Sequence, residues 1–327
     1  MRAGWSRPML STSYTALRDR ASILSEAHSY LPYGTRVKAT HEFLVQLLEE
    51  IAANPSALTN AIATADTDFL KSRGQPLPLR VTNTDEGRPI KFLGYRSYFE
   101  ASEVSGAPII RWTDEPVDFD ITIYDRLEPT LEVTIPAGYL IPPQFAEVAA
   151  KLRLHGFAMH RLGKSETFSV EMVRLLDVKF SKQPFQGRQT AELLEWEVEK
   201  QQRDFPAGTY WLPLDQPSAK VAVHLLEPMA PDSLFAWGYL SRATEGKEWF
   251  SDFVLEPMAE KMLAEDQLLK AEFEKKLAED EDFRNNPHER LHFFYRKTSF
   301  ADPDWRLHPI ARVVDPLPAE IGFDPGN

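Results

Sequence analysis

A glutamate near the start of the sequence is the residue best placed to do chemistry. Glu26 follows the adjacent apolar pair Ile23-Leu24, which predicts a short buried strand ending at this carboxylate. Strand ends are where α/β folds present catalytic side chains, and a general base needs rigid support. The alternative is a structural ion pair between Glu26 and one of the arginines Arg18, Arg20 and Arg36. The residues alone leave both interpretations open.

His224 and Glu227 form an H-x-x-E pattern, which could supply one imidazole and one carboxylate to a zinc ion. The surrounding residues 220–226 alternate like a strand, and on a strand positions i and i+3 point to opposite faces. The two ligands would then diverge, so we expect no zinc ion at this pair.

His288, Glu289 and His292 have helical spacing, but Pro287 and the aromatic run after it argue against a stable helix. The sequence predicts that these histidines are surface or packing residues, that residues 291–295 form a strand, and that their aromatic side chains lie in the core. No nucleophile elbow, phosphate-binding loop, dinucleotide fingerprint or H-E-x-x-H motif is present.

Composition excludes several functional classes. The chain has 327 residues, 37 Lys plus Arg against 49 Asp plus Glu, a net charge of −12 and no cysteine. Disulfides, thiol catalysis and cysteine-ligated metals are therefore excluded. An acidic chain without basic patches predicts no nucleic-acid partner. No apolar run approaches the ~20 residues of a membrane span, and the N-terminus lacks a signal-peptide pattern.

Apolar periodicity organises the first part of the chain into two helices. Residues 37–53 repeat apolar side chains at helical spacing, and a second helix carries Leu58, Ile62, Ala65 and Phe69 on one stripe. Gly74 suits the end of that helix. We expect a domain boundary here, between residues 1–73 and residues 74–327.

The second part is predicted to be β-rich, with short strands in a sandwich-like layer. Residues 138–162 interrupt it as a strand–helix–strand unit, with the helix over 144–154. Further strands follow over 166–227. A charged helical region covers 256–283, in which the residues expected to face the body are Met258, Met262, Leu269, Phe273 and Leu277.

The order of features in the first 70 residues resembles the end of the catalytic domain of zinc metallocarboxypeptidases of the carboxypeptidase A type, in a bacterial branch with a long C-terminal extension. The segments that carry the resemblance there are Tyr14, Ile23-Leu24-Ser25-Glu26 and 36–53. Those that resemble the extension are 137–143, His155-Gly156, 225–228, Asp232-Ser233, Trp237-Gly238, Arg296 and 309–312.

The resemblance implies that Glu26 is the general base and that Tyr14 lies in a loop that closes over substrate, although Tyr14 could equally be a packing aromatic. Arg18 and Arg20 lie close enough in the sequence to pair with Glu26 or Asp19, or to help hold an anionic substrate, and we expect the latter role of Arg18. It also implies zinc as cofactor and a peptide as substrate in the parent enzyme, whose members are often secreted or periplasmic. The family's zinc ligands and substrate-carboxylate residues precede the matching segment. We therefore expect a C-terminal fragment that binds no zinc and is inactive alone, from a truncated reading frame, a misassigned start at Met1 or a non-catalytic relic.

The predicted fold class is α/β to α+β: a remnant of a carboxypeptidase sheet with helices, then a β-rich extension with a helical C-terminal part. The alternative function is a non-catalytic module that binds peptide or cell-wall material or covers a catalytic domain. Its candidate contacts are Trp196, Trp211, Trp237 and Trp249.

Overall fold

The computed structural model describes residues 8–246, 249–318 and 321–324, and it has an α+β fold of helices and antiparallel sheets. Its helices are α1 (Ser11–Leu17), α2 (Tyr33–Ala53), α3 (Pro55–Leu70), α4 (Ala146–Leu154), α5 (Ala219–Leu226), α6 (Asp252–Glu265), α7 (Gln267–Glu279), α8 (Glu281–Asn285) and α9 (Pro287–Tyr295). Its strands are β1 (Pro76–Asn83), β2 (Arg88–Ala101), β3 (Pro108–Ile123), β4 (Leu127–Thr134), β5 (Gly138–Ile141), β6 (His160–Arg161), β7 (Glu166–Phe180), β8 (Ala191–Phe205), β9 (Tyr210–Pro213) and β10 (Ala311–Val313).

The two helices predicted for the N-terminal part are confirmed as α2 and α3. Asn54 separates them, and its side chain accepts a hydrogen bond from the Ala57 backbone N–H at 3.3 Å, which caps α3. Pro55 occupies the first turn of α3, where its missing N–H costs nothing. None of the residues of α2 is fully buried: Phe43 and Leu47 of its apolar stripe are half-buried, whereas Leu44 and Leu48 are exposed.

The segment between α1 and α2 corrects one prediction. Ile23 and Leu24 were expected in a buried strand, yet they are 62% and 61% exposed and have no regular secondary structure. Residues 8–73 of the structure contain helices and no strand, so the expected remnant of a sheet is absent from this part. Two apolar residues form a strand only when a neighbouring strand pairs with them, and none lies beside them here.

A six-stranded sheet with the order β6-β9-β5-β10-β7-β8 supports the largest core. The strand–helix–strand prediction for residues 138–162 is confirmed: β5 and β6 both pair with β9, and α4 buries Val148, Ala149 and Leu152. The sequence did not predict β10, which has three residues and fits between β5 and β7. Such a short strand carries no periodic signal of its own.

The strands predicted over residues 79–135 are present, but they do not form a sandwich. Strands β1 and β4 pair with each other, and β2 and β3 form a separate two-stranded hairpin. The hairpin register runs from Arg88 opposite Ile123 to Ala101 opposite Pro108. Most of its side chains are exposed on both faces, so it packs against no second sheet among the described residues.

Helix α5 replaces a strand that was predicted over residues 220–226. Lys220 is the one residue of this helix that is not buried. A helix that is apolar all round belongs to the interior. It therefore lacks the one-sided stripe by which a helix is recognised, and its short apolar sequence resembles a strand.

The charged helical region is confirmed as α6, α7 and α8. Asp266 and Asp280 accept backbone hydrogen bonds at the starts of α7 and α8, which divides the region into separate helices. Leu269 and Phe273 are buried as predicted, in a satellite core with Phe283 and Phe294. The prediction of a strand over residues 291–295 is wrong, because these residues belong to the helix α9. Pro287 occupies the first turn of this helix, where proline is favoured. No helix of the described residues is long and apolar enough to cross a bilayer.

Candidate functional site

The structure brings Tyr14 and Arg18 together with His155, which is distant in the sequence. The Tyr14 Oη and His155 Nδ1 atoms lie 2.8 Å apart. Arg18 Nη1 donates to Tyr14 Oη at 3.2 Å and to the His155 backbone carbonyl at 2.8 Å. Two of the three residues predicted to act in catalysis or substrate binding therefore share one polar cluster, which we call the Tyr14 cluster.

Two short helices position this cluster. Tyr14 and Arg18 are one turn apart on α1 and at its C-terminal end, so their side chains lie on the same face. His155 ends α4, and Gly156 follows it with a φ of 89°, a conformation that favours glycine. The Arg18 guanidinium thus satisfies a carbonyl that the end of α4 leaves free.

The electrostatics of the cluster keep His155 neutral. Burial lowers the pKa of His155, and the positive charges of Arg18 and Lys151 lower it further. Arg18 donates to the Tyr14 oxygen, which also shares a hydrogen bond with His155 Nδ1; the imidazole tautomer decides which of these two atoms donates. The sequence analysis did not connect His155 with Tyr14, and the only local signal was its His-Gly pair at a helix end.

A cavity of about 350 Å³ lies beside the Tyr14 cluster, and we call it the Arg188 cavity. Tyr14, His155, Trp237 and Tyr239 line it together with Arg188, which comes from the turn between β7 and β8. Its volume lies in the range of small-molecule sites.

Glu26, the predicted general base, lies outside this cluster on the exposed segment between α1 and α2. The expected position at the end of a buried strand is therefore wrong. The alternative ion pairs are not formed either. Arg20 binds both oxygens of Asp66 at 3.0 Å, Arg36 donates to the Leu31 carbonyl, and Glu26 pairs with none of the described residues.

The His224–Glu227 pair lies at the end of α5, so the strand argument against a zinc site is wrong. The structure supplies a different argument. Glu227 Oε1 accepts a hydrogen bond from the Tyr139 hydroxyl at 2.7 Å and lies 3.1 Å from Arg312 Nε. This oxygen of the buried carboxylate is therefore already bound by protein groups. Burial lowers the pKa of His224 to about 4, partly offset by the nearby Pro78 carbonyl.

Zinc has no fitting ligand set in this structure. No group of three or more His, Asp or Glu side chains is placed to hold a metal ion among residues 8–246, 249–318 and 321–324. Three protein ligands are the usual minimum of a catalytic zinc site. His288 and His292 pack instead: His288 stacks on Phe250 at 5.1 Å between ring centroids, and His292 stacks on Tyr295 at 5.8 Å.

A buried polar network, which was not predicted from the sequence, surrounds Arg312. The Arg312 Nη1 atom lies 3.2 Å from Glu171, and Nη2 donates to the Thr134 carbonyl at 2.9 Å. Burial raises the pKa of Glu227, while Arg312 opposes that rise. Burial also raises the pKa of Tyr139. Its residues are scattered over β5, β7, α5 and β10, so no local pattern could have revealed it.

Comparison with known proteins finds partial similarity to fungal carboxypeptidases. The chain is 32% identical over 127 residues to carboxypeptidase 2 of Trichophyton rubrum, which covers 39% of this chain and 23% of that protein. The corresponding protein of Trichophyton tonsurans is 30% identical over 131 residues, or 40% of this chain and 24% of the relative. A probable carboxypeptidase 2 of Arthroderma benhamiae is 31% identical over 121 residues, or 37% of this chain and 22% of the relative.

No family model and no solved structure matches the chain. The aligned part spans less than a quarter of the length of these curated relatives. The similarity indicates a carboxypeptidase-like relationship. The bacterial branch and the zinc family expected from the sequence stay predictions.

Proposed function

We propose that this chain takes part in the hydrolysis of terminal peptide bonds, as a carboxypeptidase-related protein. The observation that carries the proposal is the 30–32% identity to the fungal proteins named carboxypeptidase 2, over about 40% of the chain. The Tyr14 cluster supports it, because Tyr14 and Arg18, the two residues expected to bind substrate, contact each other there.

We assign Glu26 the role of general base, the carboxylate that accepts a proton from the attacking water and passes it to the leaving amine. The assignment rests on the resemblance, because the buried strand expected to support Glu26 is not formed; its carboxylate is exposed and pairs with none of the described residues. Tyr14 and Arg18 are assigned to substrate binding. Arg18 supports this assignment because no carboxylate among the described residues pairs with it.

The zinc chemistry of this proposal requires ligands from outside the described residues, because those present do not form a zinc site. We therefore propose that the chain acts together with a metal-binding region and that it has no peptidase activity by itself. We derive no step through zinc from the residues at hand.

The experiment is the Glu26→Gln substitution in this chain, combined with the proposed metal-binding region and assayed on peptides with a free C-terminus. Glutamine keeps the shape and removes the base, so we expect kcat to fall by roughly 10²–10⁴-fold, the range typical of general-base catalysis. Zinc content, measured by elemental analysis, should not change.

The matched control is Glu42→Gln, which removes an exposed carboxylate from the neighbouring helix α2. It should leave kcat unchanged. If Glu26→Gln retains near-normal kcat in a protein that cleaves peptides, the assignment of Glu26 is wrong.

A non-catalytic binding module is the second candidate, and the β2–β3 hairpin favours it. Tyr98, Phe99 and Trp112 on this hairpin are 56%, 74% and 68% exposed. Exposed aromatic side chains in one element mark interaction surfaces. Of the tryptophans first proposed as contacts, Trp249 is exposed, Trp237 lines the Arg188 cavity, Trp196 packs against the main core and Trp211 is buried.

A further inference from the structure

The Arg188 cavity combines two cations with an apolar interior. The Arg188 Cζ atom lies 3.5 Å from the centroid of the Tyr239 ring, and Lys151 Nζ lies 5.4 Å from the same centroid. Both cations therefore meet at one aromatic ring, on which cation–π attraction holds them. We propose that this cavity binds an organic carboxylate with a flat apolar body, independently of the proposed peptide hydrolysis.

The charges around the cavity leave an excess of positive charge. Arg188 has one carboxylate nearby, Glu147, at 4.0 Å, and both side chains are partly solvated. Lys151 forms no ion pair with the described residues, and neither does Arg18, which donates to the Tyr14 hydroxyl. Asp232 is the acidic residue in the lining, and its Oδ2 accepts the Met9 backbone N–H at 3.0 Å. A ligand carboxylate would compensate the cations that remain.

His155 lines the cavity beside these cations. Burial lowers the pKa of His155, and the charges of Arg18 and Lys151 lower it further. Because the coupling between two sites is reciprocal, an anion bound beside these cations is expected to raise the pKa of His155.

A tight hairpin turn fixes the backbone of Arg188. Phe185 and Arg188 exchange two backbone hydrogen bonds of 2.8 and 3.0 Å, which close a turn with Gln186 and Gly187 at its centre. Their φ angles of 52° and 74° are the two left-handed conformations that a two-residue hairpin turn requires. From this turn the Arg188 guanidinium lies over the Tyr239 ring.

The apolar side chains of the lining determine what group the ligand must carry beside its carboxylate. Leu225 and Leu234 are 8% and 5% exposed and lie in the lining with Val221 from α5. Trp237 and Tyr239 add two aromatic surfaces. A hydrated inorganic anion would leave this surface without a partner, whereas a planar apolar group would fill it.

The test measures binding to the whole chain by isothermal titration calorimetry with three probes: benzoate, benzamide and inorganic phosphate. Benzamide has the same shape as benzoate without its charge, and phosphate has charge without an apolar body. We expect benzoate to bind at least about tenfold more tightly than either, and its affinity to fall with added salt. Benzoate should also raise the pKa of His155, which a pH titration followed by NMR of the imidazole protons would measure. The charged side chains in and around the cavity that act on this imidazole are Arg18, Lys151, Arg188, Asp232 and Glu147.

The variants Arg188→Gln and Lys151→Met should each weaken benzoate binding by about tenfold or more and leave benzamide unaffected. Arg203→Gln, which removes a cation from β8 outside the cavity, is the matched control and should change neither. Equal affinity for benzoate and benzamide would overturn the proposal, and so would Arg188→Gln and Lys151→Met variants that bind benzoate normally. Phosphate binding as tightly as benzoate would overturn the assigned ligand class. Peptide hydrolysis is tested separately, by the Glu26→Gln variant, because Glu26 does not line this cavity.

Discussion

Arg312 is the residue on which the buried polar network depends. Its guanidinium is 7% exposed and contacts Glu227, Glu171 and the Thr134 carbonyl. Glu227 has no exposed surface. Burying two carboxylates beside one cation is tolerated only while the cation stays, because an unpaired buried charge is strongly destabilising.

We predict that Arg312→Met lowers the free energy of unfolding by roughly 3–5 kcal/mol at neutral pH, the usual cost of breaking a buried ion pair. Urea denaturation measures the loss. Arg203→Met is the control: its pair with Asp304 is partly solvated, so it should cost only about 0–1 kcal/mol.

The pH dependence of this variant has a definite sign. The pKa of Glu227 is raised in the folded protein, so its protonated form stabilises the fold. That stabilisation is complete below the ordinary carboxyl pKa and is lost as pH rises through the raised value. Without Arg312 the pKa rises further, so the deficit should be smaller at pH 5 than at pH 8. A deficit that is independent of pH would contradict the network.

At the scale of elements, the β2–β3 hairpin is the least integrated part of the structure. Its charges pair within the hairpin, as in Arg96 with Glu115 and Arg111 with Glu100, and its aromatic residues face solvent. An isolated two-stranded hairpin is at best marginally stable in water. It therefore contributes little to the stability of the rest of the chain.

We predict that replacing residues 88–123 by an Asn-Gly turn changes the free energy of unfolding by less than about 1 kcal/mol. Arg88 and Ile123 are directly paired at the base of the hairpin, so the chain ends to be joined lie on neighbouring strands, which permits the short connection. Urea denaturation followed by far-ultraviolet circular dichroism checks this. Leu140→Ala in the six-stranded sheet is the positive control and should cost about 2–5 kcal/mol. A loss of several kcal/mol for the hairpin deletion would show that the hairpin supports the core.

At the scale of the whole molecule, stability is distributed unevenly along the chain. The main core contains residues from the six-stranded sheet, α4 and α5, and it extends to Phe69 of α3 and to Tyr14 and Leu17 of α1. The intervening helix α2 contributes no buried residue, and the segment before it is exposed. Segments with so few buried contacts open at low free-energy cost.

We predict that limited trypsin digestion cuts first between Arg18 and Asn54, where the targets Arg20, Arg36 and Lys38 are located. A fragment that contains residues 74–327 should persist, as mass spectrometry of a time course would show. Resistance of residues 18–54 equal to that of the six-stranded sheet would contradict this and would mean that α2 is covered in solution.

Local patterns in the sequence were sufficient for elements that bury one side. The apolar stripes of α3 and α4 and the alternation in β7 and β8 predicted those elements, because periodicity records which face is buried. The same signal failed for α5, which is buried all round. It also failed for Ile23-Leu24, which has no strand to pair with.

Composition alone excluded thiol chemistry, and the resemblance to metallocarboxypeptidases drew attention to the segment that contains Tyr14 and Arg18. Only the tertiary structure placed His155 beside Tyr14, 141 residues away in the sequence, and put Lys151 and Arg188 at one tyrosine ring. It also decided that Glu227 binds Arg312 and Tyr139 rather than forming a metal site with His224. The physical reason is that charge pairing and burial depend on distances in space, whereas local patterns record only neighbours along the chain.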